Sequence, residues 1–146
     1  MKVFTSPLQK KHDDMQITSR ELLDFDVPGG RITESGLRQN ITVCLQYLQS
    51  WLQGVGAVAL FNLMEDMATA EICRSEVWQW IHQPNGILED GRKIDVDLFR
   101  TMAKEIATGN PTALKIIDSI VTQPNFQEFL TLTAYDYLET KTVQME

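Results

Sequence analysis

Thr33-Glu34-Ser35-Gly36-Leu37-Arg38-Gln39-Asn40-Ile41-Thr42-Val43-Cys44-Leu45-Gln46-Tyr47-Leu48-Gln49-Ser50-Trp51-Leu52 is the stretch that decides the fold. Leu37, Ile41, Cys44, Leu45, Leu48 and Leu52 recur at three- and four-residue steps, which gives a helix one apolar stripe. Thr33 is placed to cap that helix, and Glu34 puts a negative charge in the first turn, where it suits the helix dipole. Gly54 stops the pattern, and Gly54-Val55-Gly56 makes a turn.

Working outward, a second long helical stretch runs from about Leu63 to His82, and Gln83-Pro84-Asn85-Gly86 breaks it. Asp90-Gly91, between the short apolar flanks of Ile87 to Ile94, signals a small hairpin. Asp95 or Asp97 then opens a helix bearing Leu98, Phe99, Met102 and Ile106, closed by Gly109-Asn110. Pro111 suits the first position of the next helix, whose face is Leu114, Ile117, Ile120 and Val121. After Gln123-Pro124-Asn125 a last helix carries Phe126, Phe129, Leu130 and Tyr135. Upstream, Thr18 and Glu21 form a capping box for a short helix ended by Pro28-Gly29-Gly30. Residues 1–16 show no sustained period and are expected to be an extended lead-in, with residues 17–146 one helical domain. The predicted class is all-α: a helical bundle of about five to six helices with at most one small hairpin and no parallel sheet.

The composition agrees, since 146 residues at 43% hydrophobic, 23% charged and 8% aromatic suit one globular domain with a core. Thirteen Lys and Arg against 20 Asp and Glu give a net charge of -7. That balance argues against nucleic acid, which needs a basic face, and against an anionic membrane surface. Cys44 and Cys73 stand alone in helical stretches, so each reads as a small buried hydrophobe in a reducing compartment. No apolar run approaches a membrane span, the longest patch being Val58-Ala59-Leu60-Phe61. Met1-Lys2-Val3-Phe4 is not the start of a signal peptide, and Thr142-Val143-Gln144-Met145-Glu146 is not a peroxisomal address. A soluble, cytoplasmic protein is expected.

Little in the sequence advertises chemistry. No glycine-rich run joins a strand to a helix with a Lys, and no Ser sits in a nucleophile elbow. His12 and His82 are far apart, and neither has a second His or Cys at helical reach, so metal-ligand spacing is absent. Trp51, Trp78 and Trp80 read as core or interface groups, and Arg38, Arg74, Arg92 and Lys93 as solvated helix and turn charges. The unusual stretch is Phe61-Asn62-Leu63-Met64-Glu65-Asp66-Met67-Ala68-Thr69-Ala70-Glu71-Ile72. Its adjacent carboxylates follow an apolar run and precede a helix. Spacing favours Asp66 as a helix cap. The alternative is a carboxylate kept from water by apolar neighbours and raised in pKa, able to serve as a base.

Residues 31–82 resemble the C-terminal region of malate synthase of the shorter A-type form. Gly36-Leu37-Arg38-Gln39-Asn40-Ile41, Met64-Glu65-Asp66-Met67-Ala68-Thr69-Ala70-Glu71-Ile72 and Val77-Trp78-Gln79-Trp80 carry the resemblance together. It continues through Asp90-Gly91-Arg92-Lys93 and Phe129-Leu130-Thr131-Leu132-Thr133-Ala134-Tyr135, so it covers nearly the whole chain. The family condenses acetyl-CoA with glyoxylate and water to give malate and CoA, in the glyoxylate cycle. Its helical C-terminal domain caps the mouth of a TIM barrel.

The resemblance implies that Asp66 is the catalytic base, removing a proton from the acetyl methyl group so that the enolate attacks the glyoxylate aldehyde. It also implies a Mg ion, held by a Glu and an Asp of the barrel and not by these residues, and a barrel Arg that polarises the carbonyls. One departure is local: where the family often reads Cys-Val-Pro, this chain has Ala57-Val58-Ala59. The barrel's signatures are not among the 146 residues. The chain by itself is therefore expected not to turn over, because the enolate charge would have no stabiliser. A polyanionic CoA would also find few cations on an acidic surface. The competing expectation is a non-catalytic helical interaction or regulatory module.

Overall fold

The cap that Thr33 was predicted to form is present: its hydroxyl accepts the Gly36 N–H at 3.0 Å, and its carbonyl accepts the Leu37 N–H. These contacts, and all that follow, come from a computed structural model that describes residues 15–25, 27–107 and 109–143, with side chains up to residue 138. The chain divides into two units, residues 1–30 and 31–146. In the first, α1 (Ser19–Leu22) starts with the expected capping box between Thr18 and Glu21. Residues 1–14 of the predicted lead-in lie outside the described residues.

The second unit is built around α2 (Glu34–Trp51). All six stripe residues of α2's sequence pattern are buried, and Val43 and Tyr47 join them from other faces. The reason is that α2 is surrounded. It packs on α3 (Met67–His82), α4 (Val96–Ile106) and α5 (Pro111–Thr122), and α5 packs in turn on α6 (Leu130–Val143). Phe99, Met102 and Ala103 of α4 and Ala113, Ile116, Ile117, Ile120 and Val121 of α5 complete the core with Val77, Leu130 and Ala134. Each fully buried aliphatic side chain of this kind is worth about 1.5–3 kcal/mol over leaving it in water. Asp95 caps α4, Asn110 caps α5, and Pro111 stands at the start of α5 as expected.

Among the described residues the one two-stranded ladder lies elsewhere than Asp90-Gly91 predicted. It pairs β1 (Val58–Leu60) with β2 (Leu63–Glu65), antiparallel, with Leu60 opposite Leu63. The two-residue turn Phe61-Asn62 has φ of +52° and +62°, the left-handed pair that matches the twist of a hairpin. The second long helix accordingly starts at Met67 and not at about Leu63, because the residues before Asp66 are extended.

The Ile87–Ile94 segment is a tight loop with single bridges, Ile87 to Lys93 and Leu88 to Ile32. Gly91 there has φ +89°. Gly86 is forced by contact: a Cβ would lie 1.8 Å from the Trp80 carbonyl oxygen. The last helix also begins later than the sequence suggests. Phe126 and Phe129 precede α6, in the segment that leads into it.

Candidate active site

Asp66 sits between β2 and α3. Its Oδ1 accepts the Thr69 N–H at 3.2 Å and its carbonyl accepts the Ala70 N–H at 3.1 Å, so it is the N-cap that spacing suggested. Oδ2 makes no hydrogen bond with the described residues, and Asp66 is exposed. The two adjacent carboxylates part company here. Glu65 ends β2 with 7% of its surface exposed, opposite Val58, while Asp66 faces out. The apolar side chains of the hairpin that leads to Asp66 are left uncovered. Phe61, Leu63 and Met64 are 56%, 59% and 70% exposed.

The helix beneath is held by α2 in antiparallel register. Asn40 Nδ2 donates to Glu76 at 2.6 Å, and the Cys44 thiol meets the Ala70 carbonyl at 3.7 Å. One turn further along α2, Tyr47 is buried. Burial raises its hydroxyl pKa, and the charges of Asp66 and Glu71 raise it further. The end of α2 is tied to the hairpin because the Ser50 hydroxyl meets the carbonyls of Val55 and Ala57 at 3.1 and 3.2 Å. Trp51 meets Tyr135 of α6 edge-to-face at 5.3 Å. Leu132 and Tyr135 of α6 are exposed, adding to the uncovered apolar groups around this end of the unit.

Arg74 overturns the reading of a solvated charge, since it is 1% exposed. Its Nε donates to Glu71 at 2.5 Å, its two terminal nitrogens to the carbonyls of Gln127 and Glu128 at 2.6 and 2.9 Å, and it lies 4.5 Å over the Phe126 ring. Glu71 accepts the Leu130 N–H in turn. The signal was available in the sequence: opposite charges three residues apart with Ile72 and Cys73 between them. The other singled-out cations are also engaged. Arg38 pairs with Glu34 and Glu105, Arg92 with Glu34 and Asp90, and Lys93 donates to the carbonyls of Trp80, Gln83 and Gly86.

Trp78 donates from Nε1 to the Gln123 carbonyl at 2.9 Å and stacks on His82 at 4.4 Å, while Trp51 and Trp80 pack against the core. His82 Nδ1 meets the Trp78 carbonyl at 2.8 Å, and His12 lies outside the described residues. Among the described residues no three His, Cys, Asp or Glu side chains gather where a metal could be held. Among the same residues no helix is long and apolar enough to cross a membrane.

The family model described as malate synthase, C-terminal, matches residues 31–138, the whole of the second unit's described core. The chain belongs to the malate synthase family. It is 44% identical to a malate synthase of Myxococcus xanthus, an alignment covering 90% of this chain and 26% of that protein. With malate synthase A of Escherichia coli it shares 36% identity over 88% of this chain and 26% of that enzyme. A bifunctional glyoxylate cycle protein of Caenorhabditis elegans is 47% identical over 77% of this chain and 13% of its own length. The chain thus spans about a quarter or less of the curated relatives it matches.

Proposed function

We propose that this chain is the C-terminal domain of a malate synthase and supplies Asp66 as the base that starts the condensation of acetyl-CoA with glyoxylate. The observation that supports this most is the state of the Asp66 carboxylate. One oxygen is fixed by the Thr69 N–H, which sets the direction of the group, while the other is free to receive a proton. In this reading a TIM barrel closes over Phe61, Leu63 and Met64, and their burial excludes water from Asp66. The acetyl methyl group loses a proton to Asp66, the resulting carbanion bonds to the aldehyde carbon of glyoxylate as the C=O π bond opens to an alkoxide that then takes up a proton, and water cleaves the thioester to release malate and CoA.

Stabilising the enolate needs positive charge at the thioester oxygen. In this reading the Mg ion and the polarising Arg belong to the barrel. The 146 residues by themselves are inactive in this account. A cytoplasmic setting is part of the same reading, supported by Cys44 and Cys73 both being free and buried. The cap geometry of Asp66 serves a non-catalytic helical module equally well. The test is release of CoA from acetyl-CoA, glyoxylate and Mg by this chain mixed with a separately expressed malate synthase barrel. Turnover by the mixture supports the proposal. Binding of the two pieces without turnover favours the module.

A further inference from the structure

The groove between α4 and α5 stands apart from the Asp66 site and shares no lining residue with it. It has a volume of about 410 Å³ and is lined by Arg100, Lys104, Pro111, Leu114, Lys115 and Asp118. The charges do not cancel. Asp118 is engaged by Arg100, which donates to its two oxygens at 2.7 and 3.0 Å. That leaves the ammonium groups of Lys104 and Lys115 without a carboxylate. Lys115 instead lies 5.6 Å from the Tyr137 ring, a contact that leaves its charge intact.

From Arg38 onward the other described cations of this unit are engaged, whereas Arg31 at its start is exposed. Arg38, Arg74, Arg92 and Arg100 each pair with an acid, and Lys93 is spent on three backbone carbonyls. Among the described side chains from Arg38 onward, Lys104 and Lys115 are the two cations with no anionic or carbonyl partner, and both face this groove. The first turn of α5, which forms one edge, carries no acid, as is also true of α3 and α6. Its helix dipole is therefore not offset by a side-chain charge. A concentration of uncompensated positive charge in a chain of net charge -7 is what a small anion would be drawn to. The floor, Leu114 with Pro111, is apolar and suits a flat organic body.

We infer that the α4–α5 groove is a binding site for a small organic phosphate, its phosphates between Lys104 and Lys115 and its apolar body on Leu114. The probes are ADP, pyrophosphate and adenosine, titrated into the 146-residue chain and followed by amide chemical shifts. ADP produces saturable shifts confined to residues 100–104 and 114–118, and adenosine produces none there. Lys104→Gln with Lys115→Gln keeps the spectrum of a folded chain and weakens ADP by at least about tenfold, since two charge contacts are lost. The absence of saturable shifts with ADP would overturn the site, as would equal ADP affinity in the double variant. Pyrophosphate binding as tightly as ADP would overturn the role given to the Leu114 floor.

Discussion

Glu71 accepts the backbone N–H of Leu130 at 2.7 Å, so a carboxylate in the middle of α3 caps the first turn of a helix 59 positions away. Phe129, just before that turn, has no side-chain oxygen to do so. Arg74 completes the device by taking the carbonyls of Gln127 and Glu128 while pairing with Glu71. The helix that presents Asp66 therefore also fixes the approach of α6. Arg74 is fully buried, and removing one partner of such a pair leaves the other uncompensated. Arg74→Ala is expected to cost about 3–5 kcal/mol in chemical denaturation. Glu71→Leu combined with Arg74→Met should cost less than the sum of the two single changes, and a double-mutant cycle reads that coupling directly.

Phe61 occupies the first position of the hairpin turn at φ +52°, a region that disfavours bulky side chains. Asn tolerates that conformation. Phe61→Asn is expected to raise stability by about 1 kcal/mol, read as a higher denaturation midpoint. The same change removes an exposed apolar group from the hairpin turn and is expected to weaken association with a barrel.

Acid should loosen the Arg92 network. Hydrogen bonds from Arg92 and then Arg38 hold the Glu34 carboxyl below its ordinary 4.5, and Arg92 holds Asp90 below its ordinary 3.8. Both folded pKa values are depressed, so their contribution is present above those ordinary values and is lost as pH falls through and below them. Melting temperature followed from pH 6 down to pH 2 should fall less steeply in Arg92→Gln than in the parent chain. These groups are exposed or half-exposed, so added salt should shrink the difference.

Neither cysteine should behave as a reactive thiol. Burial pushes Cys44 well up, and burial with the charges of Glu76 and Glu65 pushes Cys73 up to about 11. Thiolate is the reactive form. A colorimetric disulfide reagent at pH 8 is expected to label neither residue in the folded chain and both in denaturant.

The sequence made the helices legible wherever a start signal and an apolar period coincided, as at Thr33 with Leu37 to Leu52 and at Pro111 with Leu114 to Val121. It misled where short apolar runs carry no period. Val58 to Met64 reads equally as strand or helix start, and Phe61-Asn62 lacks the glycine that marks a two-residue hairpin turn. The residues around Asp66 offered a cap first and a base as the alternative, and only the family resemblance favoured the base, because both roles ask for the same carboxylate at the same place. Arg74 could be read from its pairing with Glu71 three residues before it, but its other partners, the carbonyls of Gln127 and Glu128, are backbone atoms that no residue pattern records.

The central claim is that Asp66 is a base and more than a cap, and the two roles can be separated by one substitution. Asn keeps the Oδ1 acceptor and is as good an N-cap as Asp, but it has no carboxylate to take a proton. The measurement is CoA release by the chain mixed with a malate synthase barrel, parent against Asp66→Asn, with the melting temperature of each. The account predicts nearly unchanged melting and turnover reduced by about 10²–10⁴-fold. Unchanged turnover in Asp66→Asn would contradict it and leave Asp66 as a helix cap alone.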